Sequence, residues 1–484
     1  MIYRIEKPTG SALRKDASNT LEFWCSDVRV MRFAFQDAQE RKTVYDLVNL
    51  NAFPASNNLE FFALSNTFRY DNVGWDLYSP QGDLGRILAE NNSWRISAAN
   101  ESYTICPTYP YAFAVPSLLD DGILMEASKL RVKGRLPVLT WVHPETQASI
   151  TRSSQLNPGS SKEDILLKAI RESNARNPKL VVVDLRPPKT GNAGVVAPVE
   201  EHEGTEVAYT TVLTNAALRE SHRILVDCCL PKEKEKGEIH HCYAGVEVSR
   251  WHEHVKSLLQ TAINVVDLVH KQSTSVLIHC KDGMDQTPQV TSLALLLLDP
   301  YYRTLRGFCS LIEKEWCLFG HRFILRSGLG NKDCSDDMRA PLFLLFLDCV
   351  HQLLLQFPSA FEFNSVFLVT LADEIYKVRF GTFLANSEKE RVELKFKDKA
   401  PSFWAYVFHG QHVRLFTNPL YLTSNDVLFP LASPRKLRLW TDNYFRWNSN
   451  LKRSEFTAPR QWHLHDLVQD LKTKVSELDK SLQK

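Results

Sequence analysis

The stretch VLIHCKDGMDQTPQV, residues 276–290, decides how this chain is to be read. An apolar run, Val276-Leu277-Ile278, leads into His279 and Cys280, Gly283 follows, and Pro288 opens a long apolar segment. That order predicts a strand, a tight loop and a helix. A cysteine at the head of such a loop attacks phosphate esters when an arginine stands six residues on, and here that position holds Gln286. The thiol must act as thiolate, and an ordinary cysteine pKa of about 8.5 leaves little of it at neutral pH without an electropositive surrounding. A helix N-terminus supplies one: the backbone amides from Lys281 to Thr287 can curl into a nest that favours both thiolate and bound phosphate. Thr287 can donate its hydroxyl to the sulfur, and Asp282 or Asp285 can protonate a leaving alcohol. Gly283 permits close approach of backbone to ligand. His279 is expected to point into the core in a supporting role.

Composition sets the frame around this loop. The 484 residues are 44% hydrophobic and 11% aromatic, values of a folded chain with a large core. A formal charge of +2 gives no field that would attract nucleic acid, so an anionic partner has to be held locally. The longest apolar run, Leu293–Leu298, is far short of the about 20 residues that cross a bilayer. The N-terminal MIYRIEKPTG has no secretion-signal core, so the ten cysteines are expected as thiols in a reducing cytoplasm. Cys228-Cys229 and His240-His241-Cys242 make poor zinc geometry, and neither a metal nor a cofactor is expected.

Outward from the loop, periodicity supplies the rest. Residues 21–35 alternate in two phases, predicting strands with a bulge or turn near Ser26-Asp27; a helical turn is expected within 41–50. From about residue 130 the pattern becomes α/β, with buried strands at 136–142 and 179–185 and an amphipathic helix between them at 160–173. Residues 186–209 read as loop and 230–241 as a charged excursion. Segments 290–323 and 341–376 read as a buried helical layer. At the C-terminus Leu464, Val468, Leu471, Val475, Leu478 and Leu482 have the spacing of a coiled-coil seam, which suits either a partner helix or packing on the chain's own domain.

The loop resembles that of the myotubularins, cysteine-dependent lipid phosphatases of the protein-tyrosine-phosphatase superfamily, whose signature reads His-Cys-Ser-Asp-Gly-Trp-Asp-Arg-Thr. Segments 94–116, 135–155, 296–323, 343–364 and 380–391 resemble family segments in the same order. The resemblance implies an α/β fold: a phosphatase-like domain with a central mixed sheet flanked by helices, preceded by a partial β-rich PH-GRAM-like region. The expected division is 1–106, 107–459 and a C-terminal helix over 460–484. It implies Cys280 as nucleophile and Asp285 as general acid. Lys281, Asp282, Gly283, Met284 and Thr287 would line the headgroup site, with Asp282 orienting the lipid headgroup. Gln286 stands in place of the family's arginine, Lys281 of its serine and Met284 of its tryptophan. The arginine grips two phosphoryl oxygens through a charged planar fork, whereas glutamine offers one neutral amide. Loss of one oxyanion donor costs about 3–4 kcal/mol of barrier, so this change costs at least that. Lys281 is a flexible point charge that cannot reproduce the fork. Asp184-Leu185-Arg186-Pro187 keeps the start of a family segment, while 188–209 departs from it.

The expectation is therefore a catalytically inactive or severely impaired phosphoinositide 3-phosphatase, cytoplasmic and peripheral on endosomal membranes, that regulates active relatives or pairs with itself through 460–484. Two alternatives stand beside it. One is an active 3-phosphatase for phosphatidylinositol 3-phosphate and the 3,5-bisphosphate, working through a phosphocysteine at Cys280. The other is a protein-interaction scaffold without a lipid ligand.

Overall fold

Two sheets form where the sequence alternates. The computed structural model describes residues 2–7, 19–52, 62–65, 70, 72–157, 165–186, 204–210, 214–230, 238–329, 336–448 and, beyond these, 468, 472 and 475. In the first region β1 (Ile2–Glu6), β2 (Thr20–Cys25) and β3 (Val30–Ala34) pair antiparallel in that order. The turn predicted near Ser26-Asp27 joins β2 to β3 and places Val28 at φ 63°. This small sheet is the partial β-rich region the resemblance implies. Three helices come next: α1 (Ala38–Ala52), α2 (Phe62–Ser65) and α3 (Pro80–Ile87).

The second sheet has seven strands. They are β4 (Trp94–Ser97), β5 (Phe113–Pro116), β6 (Val138–Val142), β7 (Ser149–Ser154), β8 (Leu180–Asp184), β9 (Thr205–Tyr209) and β10 (Ser275–Cys280), in the order β4-β5-β6-β7-β10-β8-β9. β4 to β7 pair antiparallel, while β7, β10, β8 and β9 run parallel, so the sheet is mixed, as expected. β4 lies within the stretch assigned to the first region by a division at residue 106, yet it is hydrogen-bonded to β5 in this sheet. β9 corrects the reading of 186–209 as loop. It is an edge strand, half-exposed, with Glu206 and Tyr209 facing solvent, and such a strand lacks the apolar run by which buried strands announce themselves.

β10 is central, and its alternation divides the core. Val276, Ile278 and Cys280 face the larger cluster, built with α8 (Trp251–Val266), α9 (Gln286–Leu298), α10 (Leu305–Ile312), α12 (Leu342–Gln356) and α13 (Ser365–Lys377). Leu277 faces the smaller one, covered by α4 (Asp121–Lys129) and α5 (Ile165–Glu172). α6 (Asn215–Cys229), α7 (Glu238–Ser249) and α11 (Phe323–Ser327) complete the surround of the loop and the large core. Every residue of α9 after Gln286 is buried, which bears out the expected helical layer.

Titratable side chains enter this layer in paired or stacked arrangements. Lys314, 1% exposed at its side chain, donates to Asp83 Oδ2 (2.9 Å) and the Thr140 carbonyl (2.6 Å), fastening α3 to the turn after α10. His351 of α12 stacks on Trp440 with centroids 5.3 Å apart, and burial pushes its pKa down from 6.5 to about 3. A histidine held neutral in the folded chain but free to protonate when unfolded stabilises fully above pH 6.5, and the contribution is lost as pH falls toward 3. At pH 5 the loss is about 2 kcal/mol. Urea midpoints at pH 7.5 and pH 5 are expected to differ accordingly, and His351→Phe to shrink that difference; an unchanged difference would show that His351 is not the group responsible.

The heptad seam of 460–484 lies outside the described residues except for Val468 and Val475, which have helical backbone and exposed side chains. No helix among the described residues is long and apolar enough to cross a membrane.

Candidate functional site

β10 delivers Cys280 to the middle of the sheet's end, and the chain reaches α9 within five residues. The thiol is 2% exposed. Its sulfur accepts from the Gly283 N–H (3.2 Å) and from the Thr287 hydroxyl (3.3 Å), so the donors predicted around it are in place. Gly283 has φ +69°, and a Cβ there would sit 2.5 Å from the Ser153 carbonyl oxygen. Only glycine fits both the conformation and the space. Gly283→Ala is expected to cost about 1–3 kcal/mol and to raise the reactivity of Cys280 toward a thiol reagent as the loop opens; an unaltered melting curve and alkylation rate would contradict this.

The loop is held from behind through its carbonyls. The Gly283 oxygen accepts from Arg135 Nη2 (2.9 Å) and Arg152 Nη2 (2.8 Å), both guanidinium groups fully buried. Arg152 is itself paired with buried Glu315 at 2.7 Å, and Thr291 donates to the same Glu315 oxygen at 2.6 Å. His321 Nδ1 donates to the Met284 carbonyl (2.8 Å), and burial pushes the His321 pKa down to about 4, so the ring is neutral. The Gly283 and Met284 carbonyls are thereby taken up behind the loop, while the Gly283 N–H turns to the sulfur.

The two aspartates are both engaged by cations. Asp285 accepts from Arg326, through Nε at 3.1 Å and through Nη2, with Arg322 Nη2 3.5 Å away and Asn215 Nδ2 at 3.2 Å. Burial pushes the Asp285 carboxyl up, but the Arg326 and Arg322 guanidinium groups outweigh it and hold the group below the usual carboxylate range. Asp285 is thus an ionised partner in an ion pair. Asp282 lies 3.3 Å from both Lys133 Nζ and Arg322 Nη2, and its Oδ1 accepts from the Met284 N–H. Met284 is buried, and Lys281 is exposed, its carbonyl accepting from the Gln155 N–H at 3.3 Å.

Gln286 begins α9, and its Nε2 donates to Asn215 Oδ1 at 3.0 Å. It also borders a small cavity with Leu218, His254 and Ser257, to which Cys280 and residues 281–285 contribute nothing. One N–H of the amide at position 286 is therefore engaged by α6. Asn215 meets both neighbours at once, giving its NH₂ to Asp285 and taking one from Gln286.

The structure thus gathers Cys280, Gly283 and Thr287 about the sulfur, sets Asp282 and Asp285 among cations, and leaves Lys281 outside. Sequence reasoning missed Asn215, Lys133, Arg135, Arg152, Arg322 and Arg326 as parts of this site. One signal was available: Arg152 stands inside β7, an otherwise buried strand, and a buried guanidinium needs a built partner. Arg322 and Arg326, four apart, share one side of a helical turn. Among the described residues no group of three or more side chains is arranged to hold a metal.

Comparison with known proteins bears on what this geometry belongs to. The family model for the myotubularin-like phosphatase domain matches residues 59–392. A chicken (Gallus gallus) phosphatidylinositol-3,5-bisphosphate 3-phosphatase, MTMR2, is 41% identical over 494 aligned residues, which cover 100% of this chain and 86% of that protein. The mouse (Mus musculus) protein of the same name is 41% identical over 467 residues, covering 94% and 72%. A myotubularin of Xenopus laevis is 38% identical over 480 residues, covering 97% and 79%. The match runs through both sheets and the cysteine loop, and on that extent this chain belongs to the myotubularin family.

Proposed function

We propose that this protein is a phosphoinositide-binding myotubularin with little or no phosphatase activity, acting as a regulator of active relatives. The observation that carries the reading is Gln286: an uncharged amide stands at the arginine position of the loop, hydrogen-bonded to Asn215 of α6. The chemistry of phosphoryl transfer asks for charge at the oxygens that move into the transition state, and a neutral amide turned to α6 supplies none. The acid is affected too. Asp285 is held as carboxylate by Arg326, so the leaving alcohol has no ready proton from it. Binding is less affected, because the loop backbone is kept and Arg322 and Lys133 stand 3.3 Å from Asp282 beside it.

In this role the protein sits peripherally on endosomal membranes, its loop takes a phosphatidylinositol 3-phosphate or 3,5-bisphosphate headgroup, and residues 460–484 pair with an active relative or a second copy. Cys280 is then the retained nucleophile position, with Asp282, Gly283, Met284 and Thr287 shaping the headgroup site. Calorimetry with water-soluble dibutanoyl phosphatidylinositol 3-phosphate tests the binding half. Saturable binding to the unaltered protein without phosphate release is expected; absence of binding would support the scaffold role without a lipid ligand.

One observation favours a second reading, that of a slow 3-phosphatase. The Cys280 sulfur keeps both of its donors, Gly283 N–H and the Thr287 hydroxyl, the setting a thiolate nucleophile needs.

A further inference from the structure

We propose that the turn carrying Leu118 and the exposed side of α4 form a rim that inserts into the interfacial layer of an anionic lipid bilayer while the cysteine loop faces the same membrane. The inference rests on the reading that the loop takes a phosphoinositide headgroup. A headgroup still attached to its lipid brings the mouth of the loop against the bilayer, and with it whatever else stands at that end of the sheet.

Strand register identifies what stands there. β10 ends at Cys280 opposite Ser154 of β7; β6 enters antiparallel with Val138 opposite Arg152; β5 leaves with Ala114 opposite Leu139 and ends at Pro116. The turn after Pro116 is therefore at the Cys280 end. α4 comes at once and returns the chain at Arg131, bridged to Leu156 just past the end of β7, with Lys133 next to Asp282. The C-terminal end of α4 thus lies at the loop's end of the sheet, while its N-terminus rests on the sheet face, where Asp121 accepts from Ser97 Oγ at 2.9 Å. Its nine residues span about 13 Å, enough to cross the two interstrand spacings of about 4.8 Å between β5 and β7.

This segment exposes apolar side chains that the fold does not use. Leu118 is 80% exposed, more than any other large hydrophobic among the described residues, and Met125 of α4 is 53% exposed. The acidic groups between them are engaged: Asp120 caps α4 by accepting from the Ile123 N–H (2.9 Å), Asp121 pairs with Arg95 (2.6 Å) and Glu126 with Lys129 (2.6 Å). At the loop itself Lys281 is exposed and half-exposed Lys133 lies 3.3 Å from Asp282. Apolar groups flanked by lysines on the face that meets a phosphoinositide are the chemistry of an anionic membrane interface.

The test is partition of the full chain onto phosphatidylcholine vesicles containing phosphatidylserine and phosphatidylinositol 3-phosphate. Leu118→Glu/Met125→Glu is expected to weaken partition about ten-fold or more, by removing two buried apolar side chains. Its affinity for soluble dibutanoyl phosphatidylinositol 3-phosphate is expected to stay at that of the unaltered protein. Leu118→Trp moves the other way, strengthening partition, because an indole favours the headgroup layer. Equal partition of all three proteins overturns the rim, as does failure of the unaltered protein to reach vesicles while it binds the soluble lipid. Loss of soluble-lipid binding by the unaltered protein instead overturns the headgroup reading itself.

Discussion

Gln286→Arg is expected to raise phosphate release from phosphatidylinositol 3-phosphate and the 3,5-bisphosphate by a factor of several hundred. The substitution replaces a neutral amide, one N–H of which is engaged by Asn215 at 3.0 Å, with a charged fork able to track two phosphoryl oxygens into the transition state. A single oxyanion donor accounts for about 3–4 kcal/mol in other hydrolases, which converts to a rate factor of about 10²–10³. On the proposed reading, in which the loop binds the headgroup without the arginine, the gain should appear in kcat more than in KM. Cys280→Ser in the Gln286→Arg background is expected to erase it. Equal rates for the unaltered protein and Gln286→Arg, both lost on Cys280→Ser, would show that this loop manages without the arginine.

The second large effect is structural and concerns the support of the loop. Arg152→Met removes the partner of Glu315, whose side chain has no exposure, and strips one of two donors from the Gly283 carbonyl. Breaking a buried ion pair by deleting one member costs about 3–5 kcal/mol, because the remaining charge stays buried without its countercharge, here with only the Thr291 hydroxyl. Urea denaturation is the measurement. Arg152→Met/Glu315→Gln is expected to be more stable than Arg152→Met alone, since the stranded charge is gone. A double variant as unstable as the single one would assign the loss to packing of Arg152 on Phe319, 4.5 Å from guanidinium to ring centroid, instead of to charge.

Where local pattern decides, the sequence was readable. β10, the loop and α9 form one continuous stretch in which an apolar run, a glycine and a proline each restrict the backbone, so strand, turn and helix could be placed from them alone. The same holds for β6, β8 and the buried helical layer. β9 escaped because an edge strand buries only part of one face, and TEVAY carries little apolar signal. The site was half legible for a related reason. Cys280, Gly283 and Thr287 meet through bonds that span seven residues or fewer, whereas Arg135 reaches Gly283 across 148 positions, Arg152 across 131, and Asn215 reaches Gln286 across 71. Those contacts depend on strand order and on where α6 begins, and neither is written in any local window. Asp285 illustrates the difference. Chosen from the loop alone it is a candidate acid, but α11 and the turn before it bring Arg326 and Arg322 to its carboxylate.

The most direct measurement is a single-turnover experiment in which excess unaltered protein meets phosphatidylinositol 3-phosphate labelled with ³²P in the 3-phosphate, with acid quench and gel separation. Absence of label on the protein, alongside saturable binding of the same lipid, is the result expected if position 286 leaves the transferring phosphoryl group without countercharge. Rapid, stoichiometric labelling that disappears in Cys280→Ser would contradict it.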